Sequence, residues 1–248
     1  MDPDSSEATK KKTPVIKRVS REELHDQLSA STTPSRLFSV MVALSTVVAA
    51  VGMMRDSVAV IIGAMVIAPL LGPNMALAFG TTVGDKKLIR SALACNAVGI
   101  TIAMGMSTTA GLILPVDTSV PELASRADVH VADVALALAS GAAGALAFTA
   151  GTSATLVGVM VAVALLPPTA AAGLMLGSGQ MQGFLGAGTL LLVNIVSVNL
   201  AATLTFILQG VQPDTWWTEK STQSTVRRSI LIWGSLLALL VALLVMSA

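Results

Sequence analysis

The chain has 248 residues, 54% apolar, 12% charged and 3% aromatic, with a net charge of +1. A soluble domain carries about 25% charged residues, and here twelve of the 29 charges crowd into residues 1–30, so a water-soluble globule is excluded for want of polar surface. The near-neutral balance offers nucleic acid no electrostatic footprint, and one cysteine, Cys95, excludes an internal disulfide and any cysteine-based metal site.

Residues 1–30 are charged throughout and contain no apolar leader core, so the first apolar span is expected to be retained. Residues 1–18, rich in Lys, Ser, Thr and Pro, are expected to be disordered. The Lys10–Lys12 run suits either anionic lipid or plain solubilisation. Ser20 and Glu23 make a capping-box pattern, and Leu24 and Leu28 share a face, so a short helix on the inner membrane surface is predicted. Thr33-Pro34 reads as the N-cap and first turn of the next helix.

Seven apolar runs then approach the roughly 20 residues that cross hydrocarbon at about 1.5 Å per residue. They lie at about 37–54, 58–80, 88–114, 133–150, 154–176, 183–209 and 229–247. With the N-terminus inside, the inner segments hold thirteen Lys/Arg and the outer side two, Arg55 and Arg126. That bias sets the orientation, and an odd number of spans places the C-terminus outside.

The run GAMVIAPLLGPNMALAFG from Gly63 is echoed 95 residues later by GVMVAVALLPPTAAAGLM from Gly158. Gly63, Met65, Val66, Leu70, Leu71, Pro73 and Ala76 meet identical residues in that register. Each copy is the second span of a group of three, interrupted by proline, and each is followed by a matching polar pattern that pairs Asn96 with Asn194 and Gly99 with Ser197. Three spans per copy reverse the second copy in the bilayer, as in transporters with inverted repeats. The expected fold is an all-α polytopic membrane protein of seven transmembrane helices. It comprises a tail (1–33), a three-helix repeat (34–114), an outer loop (115–132), an inverted repeat (133–209), an inner loop (210–228) and a C-terminal helix (229–248). Trp216, Trp217, Arg227 and Arg228 would anchor that last helix at the inner interface.

From Ser35 through SVAVIIGAMVIAPLLGP to Gly84-Asp85, the chain resembles the uncharacterised hydrophobic membrane proteins of domain of unknown function 389. The stretch TAGTSATLVGVMVAVALLPP fits the same family. The resemblance covers about residues 35–210 and implies a prokaryotic-type membrane protein with a duplicated core. It implies no substrate. The 34-residue leader is expected to carry no separate soluble domain.

Proline inside a helix removes a donor and clashes with the carbonyl four residues back. Pro69 and Pro73 would free the carbonyls of Met65 and Pro69, and Pro167 and Pro168 those of Val163 and Ala164. The N–H groups beyond each break must find a partner in protein, water or ligand. A solute or ion site is therefore expected at Pro69, Gly72, Pro73, Asn74 and Asn96, facing Pro167, Pro168, Thr169 and Asn194. The competing reading is a packing kink, with the amides as interhelical glue at about 0.6–2 kcal/mol. Asn199, five residues after Asn194, points about 140° away from it and serves a different neighbour. Ser140, Gly141, Gly144 and Ala145 read as a close-packing face, and Asp56-Ser57 and Thr152-Ser153 as helix caps.

No acidic, basic or histidine side chain lies mid-span, and no nucleophile has a partnered base, so an enzyme is not expected and no cofactor or metal is implied. The function expected is a permease or channel-like transporter of a small solute or ion, in the cell membrane and as a homo-oligomer. The alternative is a non-transporting oligomeric scaffold or sensor. A filled seam at the breaks favours the scaffold and an accessible cavity favours transport.

Overall fold

A computed structural model describes residues 19–151, 154–211 and 230–242, and of 154–164 only the helix path. The helices are α1 (Arg21–Ala30), α2 (Arg36–Met54), α3 (Val58–Ile67), α4 (Leu71–Val83), α5 (Lys86–Ile113), α6 (Pro121–Ala124), α7 (Val131–Thr149), α8 (Ala154–Gly177) and α9 (Met181–Leu208). A further apolar helix, α10, runs over Ile230–Ala242. The tail 1–18, the Thr152-Ser153 cap and the anchors Trp216, Trp217, Arg227 and Arg228 lie outside the described residues.

The seven-span expectation does not hold. Among the described residues four helices are long and apolar enough to cross a membrane: α2, α5, α7 and α9. A fifth is reached only by joining α3 to α4 across a bend of 58°. Counting apolar runs treats each as one straight helix, whereas α3 and α4 have 10 and 13 residues and cannot span singly. The described apolar stretch of α8, Leu165–Gly177, and α10 are likewise shorter than a span.

The pair of matching proline breaks is corrected too, since only the first copy is broken. A residue before proline is pushed out of the helical region; Ala68 accordingly adopts φ −69°, ψ 120°, and α3 stops at Ile67. Pro73 breaks nothing. It sits in the first turn of α4, where its missing N–H would have had no helical partner. In the second copy α8 runs unbroken through Pro167 and Pro168. Glycines hold this helix tightly against α5: a Cβ at Gly173 would lie 2.9 Å from the Met104 carbonyl, and one at Gly177 would lie 2.8 Å from the Leu112 nitrogen. A second seam of this kind joins α7 to α9, where a Cβ at Gly141 would lie 2.8 Å from Val198 Cα.

Helix α4 is the enclosed centre of the fold. Leu71 and every residue from Pro73 to Thr82 are buried, as a helix apolar on all sides requires. It packs against α5, α9 and α1. Ser20 Oγ caps α1 by accepting from the Glu23 N–H at 3.2 Å. Leu24 and Leu28 are wholly buried, and the His25 ring meets Phe79 edge-on. Thus α1 is packed into protein through the face that the sequence marked as apolar. The helix α2 that follows is capped by Ser35, one residue beyond Thr33-Pro34, whose Oγ accepts from the Phe38 N–H at 3.0 Å.

Gly84, at φ 76°, ends α4 in the left-handed turn that favours glycine, and Asp85 begins α5. Burial alone would raise the Asp85 carboxyl. The Leu88 N–H, the His25 ring and the Lys87 N–H bond its charged form and hold it below the ordinary carboxylate value. A carboxyl lowered on folding contributes stability that is complete above its unfolded pKa of about 3.9. That stability is lost as the pH falls through the folded value. Asp85→Ala is therefore expected to melt below wild type at neutral pH. In detergent melts the gap should narrow only below about pH 4.

Candidate functional site

The break between α3 and α4 carries a chain of buried amides. Asn74, in the first turn of α4, donates through Nδ2 to the Leu70 carbonyl at 3.1 Å and to Asn96 Oδ1 of α5 at 3.2 Å. Its Oδ1 accepts from Asn199 Nδ2 of α9 at 3.2 Å, and Asn199 also donates to the Ile195 carbonyl at 2.8 Å. Asn199 Oδ1 has no donor among the described residues. Farther along α4, Thr82 and Thr203 exchange long bonds of 3.5 Å with the Thr203 and Ala78 carbonyls. Against Gly72 lies Ser31, whose Cβ is 2.6 Å from where a glycine substituent would begin. Pro69 is half-buried in the turn and Pro73 is buried. The first break is a hydrogen-bonded seam of buried amides.

The second set of predicted residues stands elsewhere. A cavity of about 300 Å³ opens between α6, α7, α8 and α9, with Pro167, Pro168 and Asn194 in its wall. Leu136, Ala137 and Leu190 complete the apolar part, while Glu122, Ser125, Arg126, Asp133 and Ser140 add polar groups. Arg126 Nη1 lies 2.9 Å from Glu122 Oε2 and also donates to the Glu122 carbonyl. Asp133 Oδ2 accepts from the His130 N–H at 2.8 Å and so caps α7. The short helix α6 is moored by Asp56, whose Oδ1 accepts from the Glu122 N–H at 3.1 Å. Asp56 adopts φ 50° to reach it, and Ser57 makes no side-chain cap bond, so this pair is a mooring and not the helix cap that the sequence suggested.

The nine predicted residues therefore fall into two groups. Pro69, Gly72, Pro73, Asn74 and Asn96 surround the seam, and none of them lines the cavity. Pro167, Pro168 and Asn194 do line it, while the Thr169 hydroxyl turns back to the Leu165 carbonyl at 2.7 Å. Asn194 and Asn199 face different neighbours, as their separation around α9 demands. Sequence reasoning missed Asn199 as the third member of the amide chain. It also left Glu122 and Arg126 in an outer loop and Asp133 at the end of a span, although the four-residue spacing of Glu122 and Arg126 behind Pro121 was a legible helix signal.

Four long apolar helices and a bent fifth make this a polytopic membrane protein. The chain belongs to the family described as domain of unknown function (DUF389), whose model matches residues 65–200. It is similar to the uncharacterized protein MJ0678 of Methanocaldococcus jannaschii, with 36% identity over 228 residues, covering 92% of this chain and 71% of the relative. No solved structure matches it.

Proposed function

We propose that the chain is a membrane permease or channel-like protein for a small solute or ion, and that its site is the cavity at Pro167, Pro168 and Asn194. The observation that carries this reading is the cavity itself. Its wall is divided about evenly between apolar side chains and convergent polar groups, so it can hold both halves of an amphiphilic small ligand, and about 300 Å³ is large enough for one. Its lining includes no histidine to activate Ser125 or Ser140, so we read it as binding without catalysis. Seven Lys/Arg at or before Arg36, against Arg55 alone in the turn after α2, support a cytoplasmic N-terminus.

The hydrogen-bonded amide seam favours the rival reading at one place. There the bend of α3 into α4 serves packing, and a scaffold would need nothing more. Flux separates the two readings. In proteoliposomes the wild type should conduct at least one of a panel of small neutral solutes and ions faster than protein-free vesicles. Asn194→Leu and Ser140→Val should cut that flux at least tenfold while the protein still elutes as one species. A wild type that conducts no member of the panel overturns the permease reading and leaves the scaffold.

A further inference from the structure

We infer that the cavity selects a small organic cation, a protonated amine or quaternary ammonium with an apolar body; this rests on the cavity being the binding site. The argument begins with charge. Three charged side chains line the cavity, Glu122, Arg126 and Asp133. Arg126 is occupied by Glu122, which holds its guanidinium through both the side-chain carboxylate and the main-chain carbonyl. Only 17% of the Arg126 side chain and 20% of the Glu122 side chain remain exposed, so this pair offers little to an anion. Asp133 is different. Among the described residues its carboxylate accepts only the cap from the His130 N–H, through Oδ2, and no Lys or Arg pairs with it. The lining thus keeps one uncompensated negative charge, on the carboxylate of Asp133.

The surroundings reinforce that sign. Asp128 lies in the same connection between α5 and α7, where Arg126 is the one Lys or Arg. A cleft of one sign with low-dielectric walls concentrates counter-ions at its mouth. Below Asp133 the wall alternates between kinds of contact. Leu136, Ala137, Leu190 and the two prolines would cover methylene or methyl groups, and Ser140 and Asn194 supply uncharged hydrogen-bonding groups. A bare metal cation needs an oxygen shell on all sides, which a half-apolar wall does not provide. An anion meets Asp133 and finds Arg126 engaged. A neutral polyol would leave the carboxylate unmatched at a desolvation cost. An ammonium group at Asp133 with its carbon body against the prolines satisfies both halves of the wall.

Tetramethylammonium is the probe, since it is permanently charged and does not leak through lipid as a neutral base. Binding is measured by calorimetry on the detergent-solubilised full chain, and uptake by proteoliposomes with labelled probe. Wild type should bind it saturably. Asp133→Asn, which keeps a capping oxygen, should weaken binding at least tenfold. Leu136→Lys should do the same by placing an ammonium three residues along the helix from Asp133, with the α7 cap untouched. Asp117→Asn removes an equal charge outside the cavity and should leave affinity within twofold. Binding without uptake supports the cation site and overturns the permease reading. Glycerol uptake without tetramethylammonium binding overturns the cation class and leaves the permease. Undiminished binding in Asp133→Asn and Leu136→Lys, an equal loss in Asp117→Asn, or displacement by equimolar potassium each overturns the inference.

Discussion

Gly177→Val is expected to abolish folding of the membrane core, as judged by loss of a monodisperse peak on size exclusion, and Gly111→Val is expected to do nearly the same. At Gly177 a Cβ would penetrate the Thr108 carbonyl and lie 2.8 Å from the Leu112 nitrogen; at Gly111 it would penetrate the Leu174 carbonyl and lie 3.1 Å from Gly177 Cα. The obstructing atoms are main chain in both cases, so no rotamer change relieves them. Overpacking a core costs about 1–3 kcal/mol when side chains can yield. Here two helices must separate, and because α5 and α8 share one of the larger interfaces in the molecule, the loss should exceed about 3 kcal/mol. Gly63→Val is the matched control. A Cβ there meets nothing within 4 Å, and the variant should fold normally.

Asn74→Leu is expected to be the most destabilising of the amide substitutions. Asn74 is the middle of the chain, donating to Asn96 and accepting from Asn199, so its removal strands the Asn96 carbonyl while stripping Asn199 of one of its two bonds. A buried polar group left without a partner costs about 1–3 kcal/mol. Asn96→Leu removes one bond and should cost about 1 kcal/mol. The double variant Asn74→Leu/Asn96→Leu should be less damaging than the sum of the two, because the same bond is lost in both. Thermal melts of the four proteins in one detergent test this. Strict additivity would mean that the two amides act independently.

How much of this was legible in the sequence depends on what surrounds each residue. Pro69 announced the end of α3 because the effect is local: it acts on the φ and ψ of Ala68 and needs no tertiary partner. Pro167 and Pro168 carry the same chemistry and failed as a signal. The close glycine packing that keeps α8 continuous involves α5, far away in the chain, and no pattern within 158–176 reports it. The seven-span count failed for a related reason, since apolar composition records burial without saying whether lipid or protein does the burying. Helix α4 is as apolar as a span and is enclosed by other helices. In the cavity, Asn194 could be singled out as a rare amide in an apolar run. Glu122, Arg126 and Asp133 could not, because charged residues in a loop or at a helix end look solvated until the path of the loop is known.

The enclosure of α4 constrains how the protein can be made. Asn74 leaves the ribosome 125 residues ahead of its partner Asn199, which at about 5–20 residues per second is a delay of roughly 6–25 s. During that interval α1 and α5 are already synthesised, so the Asn96 bond and the Leu24–Leu28 face can shield two sides of α4, but the side destined for α9 has no occupant. The nascent chain must hold a half-covered helix with a polar amide at the bilayer until the last of its walls arrives. Assembly of this fold is thus a late closure around a waiting element, and the growing chain is most exposed to quality-control proteolysis before α9 is complete.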